Sequence, residues 1–146
     1  MLHPEVRAIV VNWVKTWLDD RTVYGTTDGI VSTIPDSVIF RYIPDGFELV
    51  FESNNELGIT MRFESADYQF FEAEIVGQGA KIEIDNEHSD FYTVAIDGYI
   101  ADVYESNASE HSSIVICHDE NRNIFIIITG SIDVGELIKI LENIEY

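Results

Sequence analysis

The run Ile124-Phe125-Ile126-Ile127-Ile128, followed after a short gap by Asp133-Val134-Gly135-Glu136-Leu137-Ile138-Lys139-Ile140-Leu141, decides the fold. The first segment is apolar on both sides. As a strand it has no face to offer water, so it belongs in the middle of a sheet with cover above and below. The second segment predicts a helix over 134–144, with Val134, Leu137, Ile138, Leu141 and Ile144 on one stripe. Asp133 stands at the N-cap position, and Glu136 three residues on completes a capping-box pattern. Ile132 and Leu137 occupy the staple positions, so this helix is one of the two covers.

Working outward toward the N-terminus, strand signals dominate. Ser113–Cys117 and Ile124–Thr129 flank a polar loop, His118–Asn123. Phe91–Ile96 and Tyr99–Tyr104 flank Asp97-Gly98, the strongest short hairpin signal in the chain. Tyr68–Val76 and Ala80–Ile84 read as further strands. Phe47, Leu49 and Phe51 alternate with acids, as do Ile59, Met61 and Phe63 with polar residues, and Asn54-Asn55 is the predicted turn between them. Shorter strands are expected around Thr22–Thr26 and Val38–Tyr42. At the start of the chain, Val6, Ile9, Val10, Trp13, Val14, Trp17 and Leu18 recur at three- and four-residue spacing after Pro4, which predicts an amphipathic helix over 4–18. The expected architecture is α+β: an N-terminal helix within residues 1–20, an antiparallel meander sheet, and a C-terminal helix packed on it. All 146 residues form one expected domain.

Eight Lys and Arg residues face 27 Asp and Glu, for a net charge of −19. Residues 1–21 hold three basic and three acidic groups, so the whole excess lies beyond them. Such a field repels nucleic acid and anionic head groups, and it favours cations or basic protein surfaces. It also keeps copies apart, so a monomer is expected. Cys117 is the single cysteine, which excludes an internal disulfide. No stretch has the roughly 20 apolar residues of a membrane helix, and no secretion signal opens the chain.

No catalytic, cofactor-binding or metal-ligating residue is assigned. Cys117 and His118 are adjacent, but neighbours on a strand point to opposite faces, so the pair reads as a core cysteine beside a loop histidine. Asp85-Asn86-Glu87-His88-Ser89-Asp90 is dense in donors. It lacks the glycine and the closing glutamate of a calcium loop, with Asp90 and Ile96 at those positions. His111, His118, Asp119 and Glu120 form a second, looser cluster. Gly77-Gln78-Gly79 is a turn without the Lys and Ser/Thr of a phosphate loop, and no G-x-S-x-G elbow occurs.

Three segments in order carry a family resemblance. They are Tyr42-Ile43-Pro44-Asp45-Gly46-Phe47; Ile84-Asp85-Asn86-Glu87 with Val94-Ala95-Ile96-Asp97-Gly98-Tyr99; and Ile126–Ser131 with Glu136-Leu137-Ile138-Lys139-Ile140. Together they resemble the domain-of-unknown-function 4367 family of Firmicutes, over Tyr42 to Ile144. The opening segment from Pro4 resembles the stretch that often precedes that domain. Cys117 stands where the family often has tryptophan.

The resemblance implies an extracytoplasmic part of a single-pass membrane protein, some of these being anti-sigma-factor-like. It supplies no catalytic residues. The expectation is a non-enzymatic module that senses or binds a protein or envelope ligand for a membrane-anchored regulator. Its hydrophobic anchor would lie upstream of Met1, the membrane being reached only through that segment. A free-standing acidic inhibitor that mimics nucleic acid, or an unrecognised hydrolase, are the alternatives.

Overall fold

The computed structural model describes residues 13–17, 21–26, 31–77, 79, 81–108 and 111–146. Among the described residues, twelve strands and one helix follow in chain order: β1 (Trp13–Trp17), β2 (Arg21–Thr26), β3 (Ile39–Phe40), β4 (Glu48–Asn55), β5 (Gly58–Glu64), β6 (Phe70–Val76), β7 (Lys81–Asp85), β8 (Ser89–Ile96), β9 (Tyr99–Ser106), β10 (Ser113–Asp119), β11 (Ile124–Gly130), α1 (Val134–Glu142) and β12 (Ile144–Glu145). The fold is mostly antiparallel sheet with one C-terminal helix.

The principal sheet has the order β4-β5-β6-β11-β10-β9-β8, which puts β11 in the middle of its seven strands. That is the place its all-apolar sequence demands. Alternation splits its side chains between two cores. Ile124, Ile126 and Ile128 join Leu137, Ile140 and Leu141 of α1 in one apolar cluster. Phe125 and Ile127 face the other way and pack with Tyr24, Ile84, Tyr104 and Ile116. The second cover is therefore a small sheet, order β1-β2-β7, which contributes Tyr24 and Ile84.

Three expectations about the architecture are corrected. First, the meander is broken in two: β4-β5-β6 and β8-β9-β10-β11 are joined side by side through β6 and β11, while β7 leaves to pair with β2. A strand apolar on both sides can satisfy both only at the centre, so β11 pairs with β6 instead of ending the sheet. Second, where the predicted N-terminal helix falls within described residues, Trp13–Trp17 is a strand, paired from Trp13↔Thr26 to Trp17↔Thr22. Its two tryptophans, Val14 and Thr16 suit a pleated surface at least as well as a helix, and the ladder with β2 settles the contest. The remainder of the 4–18 reading, and Leu18, lie outside the described residues. Third, the last helix stops at Glu142, two residues short of the prediction, because Ile144 and Glu145 pair with Phe40 and Ile39.

Local chemistry explains the turns. Ile96 pairs directly with Tyr99, and Asp97 and Gly98 both have positive φ, 41° and 88°. That is the I′ geometry an Asp-Gly pair favours. The β4–β5 turn falls at Glu56-Leu57 rather than Asn54-Asn55, since Asn55 pairs with Gly58 and its side chain accepts from the Leu57 amide at 2.8 Å. At the start of α1, Asp133 accepts from the Gly135 amide at 3.1 Å, as a cap should. The Glu136 carboxylate accepts from the Tyr42 hydroxyl, which ties the helix to the segment before β4.

Candidate functional site

β9 and β10 pair only at Ile114↔Tyr104, Val115↔Val103 and Ile116↔Asp102. Beyond Asp102 the strands part, although β9 stays paired to β8 as far as the Asp97-Gly98 turn. The gap opens a cleft of about 520 Å³ on the small-sheet side, lined among others by Tyr24, Asp102, His118 and Phe125, with Gly98 and Asn121 from the flanking turns. A second cavity of about 320 Å³ lies on the helix side, lined among others by Tyr99, Cys117, Asp119 and Tyr146.

Asp102 is the chemical centre of the larger cleft. It is buried, on the face of β9 that also carries Tyr104. The Tyr24 hydroxyl donates to its Oδ2 at 2.5 Å. A phenol has one proton to give, so in the 2.6 Å contact between the two tyrosines Tyr104 donates to Tyr24. The Thr22 hydroxyl bonds Tyr104 in turn, and Asn86 Nδ2 donates to Thr22 at 3.1 Å. The result is a row of hydrogen bonds all pointing toward one carboxylate. Burial, reinforced by these neighbours, holds the Tyr24 phenol far above its ordinary range, and burial likewise raises that of Tyr104.

The residues singled out in the sequence are distributed as follows. Cys117 packs in the helix-side core, whereas His118 lies on the opposite face against the Phe125 ring, centroids 4.9 Å apart. Burial pushes the Cys117 thiol up to about 12, with Asp119 and Asp102 adding to the shift. His118 is no loop residue. β10 runs on through His118↔Phe125 and Asp119↔Ile124, and Nε2 of the buried ring donates to Asn123 Oδ1 at 2.9 Å. Burial lowers its pKa, so the ring is neutral at pH 7. Asp119 is buried as well, and it accepts from the Tyr146 hydroxyl at 2.6 Å and from the Asn121 amide at 2.9 Å. The looser cluster is thus divided: His118 and Asp119 serve the core, Glu120 borders the cleft, and His111 lies against His88. Gly77 is buried after β6, and Gln78 lies outside the described residues. Asp102 was not singled out in the sequence. Its signal was an acid flanked by Ala101 and Val103 within the apolar run Tyr99–Tyr104.

Among the described residues no helix is long and apolar enough to cross a membrane. No curated protein and no solved structure matches the chain. One family, described as a domain of unknown function (DUF4367), matches residues 37–144, from just before β3 through α1 to the start of β12. That span covers the whole principal sheet and most of the chain, and the chain belongs to the DUF4367 family.

Proposed function

We propose that this domain is the extracytoplasmic, non-enzymatic binding module of a membrane-anchored bacterial regulator, and that the cleft over Asp102 receives its ligand. The observation that carries the reading is a buried carboxylate, held by the Tyr24 hydroxyl, in the wall of a cleft whose volume lies in the range of small-molecule sites. A fixed carboxylate with a protonated phenol beside it suits a ligand that presents a cation or hydroxyls, such as an amine or an envelope saccharide. The placement outside a membrane rests on the family resemblance. The non-enzymatic reading is supported by the thiol, which stays protonated on the face opposite a neutral histidine, so the pair lacks the contact that activates a nucleophile.

Two measurements test it. A phosphatase reporter fused after Tyr146 in the natural gene product should be active only if the domain lies outside. An inactive fusion would favour a cytoplasmic acidic binding protein. Amide spectra recorded against a panel of amines and saccharides should shift at Gly98, Tyr99 and Asn121, and the shift should vanish in Asp102→Asn. Perturbation spread evenly over the acidic surface, or unchanged in that variant, would sink the cleft as the site.

A further inference from the structure

The β7–β8 and β9–β10 connections emerge at one end of the principal sheet, because β8 and β9 pair without a break from Ser89↔Ser106 to Ile96↔Tyr99. Asp85 ends β7, His88 immediately precedes β8, and His111 stands two residues before β10. The two connections are fastened together by the Asn107 amide, which donates to the His88 carbonyl at 3.0 Å. Within the second, the His111 amide donates to the Ala108 carbonyl at 3.1 Å. The first is braced by the Asp85 carboxylate, which accepts from the Glu87 amide at 2.8 Å. His88 Nδ1 lies 2.8 Å from Asp85 Oδ2. The His88 and His111 rings are stacked, centroids 4.3 Å apart and 9° from parallel. One donor atom from each of the three side chains lies within 4.8 Å of the others.

We infer that Asp85, His88 and His111 form a binding site for a zinc-class divalent ion, a site that goes beyond the proposed ligand cleft. The donor set selects the ion. Two imidazoles and a carboxylate suit zinc, nickel or cobalt, whereas calcium and magnesium require a shell of oxygens. Three protein ligands leave a fourth tetrahedral position for water or for a group from a partner. Ligand bonds of about 2.0–2.1 Å place neighbouring donors little more than about 3.3 Å apart, so the triad must tighten by roughly 1–2 Å. An imidazole binds an ion in its own ring plane, so the stack opens on binding. The His88 side chain is 47% exposed and can turn about its outer torsion at small cost, while the backbone ties hold both connections in place. The acidic field of the chain raises the local concentration of any divalent cation. A simple loop brace accounts for Asp85 and His88, but it does not account for His111, delivered against them from the next connection. Once bound, the ion fastens β7 of the small sheet to the ends of β8 and β10 in the large one.

The test is calorimetric titration of the whole chain with zinc, with ring signals of the histidines followed in parallel by NMR. The expected result is one equivalent bound at micromolar affinity, with the His88 and His111 signals shifting and that of buried His118 unchanged. His88→Ala and His111→Ala should each weaken binding at least about tenfold, and Glu87→Gln should leave it intact. Circular dichroism and a thermal melt confirm that each variant, altered at an exterior loop, is folded. Absence of binding up to about 100 μM zinc would overturn the site. So would binding that persists in both histidine variants, which marks an adventitious ion only on the acidic surface.

Discussion

Glu74 stands directly opposite Ile127 in the ladder between β6 and β11. A carboxylate is thus set beside the most apolar strand of the molecule, on the face covered by the small sheet. Burial first, and the nearby Glu72 second, raise its pKa above the ordinary value of 4.5. The folded form therefore holds this proton more tightly than the unfolded chain does. Its contribution is most favourable below the unfolded pKa and is lost as pH rises through the folded one. At pH 7 the charge is a cost, so Glu74→Gln should raise the urea midpoint there. The gain should shrink toward zero at pH 4. A destabilised variant at pH 7 would mean that Glu74 has a cationic partner.

Ile127 should be far less tolerant. Ile127→Asp puts an uncompensated charge between β11 and the small sheet, at a cost of about 3–5 kcal/mol, enough to unfold a marginal domain. Glu87→Ala, on an exposed loop, should change stability by less than about 0.5 kcal/mol. Far-UV circular dichroism and urea titration separate the two. Equal effects would contradict the central position of β11.

Tyr24→Phe removes a donor to Asp102 and the acceptor for Tyr104 in one step. The expected loss is about 1–3 kcal/mol, read from the urea midpoint at constant slope. A loss below about 0.5 kcal/mol would show that solvent enters the row and replaces the phenol.

The Cys117 thiol, pushed up to about 12, is protonated at pH 8 and lies in the helix-side core. Reaction with a disulfide reagent should be slow in the native protein and immediate in guanidinium. Fast labelling without denaturant would mean that β10 opens at its Cys117 end on the timescale of the assay.

The central strand and its helix were legible because each is locally consistent. Ile124–Ile128 has no polar side to misplace, and Asp133 caps in its own sequence context. The Asp97-Gly98 hairpin was legible for the same reason. Trp13–Trp17 was not, since Trp13, Val14 and Trp17 satisfy a helical stripe as readily as a pleat, and only pairing with β2 decides between them. The transfer of β7 to the small sheet left no local mark, because Lys81–Asp85 alternates like any half-buried strand. His111 and His88 belong to different connections, and no spacing rule joins them. Their meeting is a product of the unbroken β8–β9 pairing.

That ribbon of two strands, eight residues each and about 26 Å long, is joined to the rest of the sheet through only three residue pairs of β10. It carries the histidine cluster at one tip and the wall of the cleft at the other. Between Asp97 and Asp102 the ribbon has β8–β9 pairing alone, and it is steadied there by Ile96 and Ala101 in the helix-side core. Amide exchange should show this as a contrast along β9: the Ile100 amide, which faces the gap, exchanges fast, while those of Asp102 and Tyr104, which face β10, are protected.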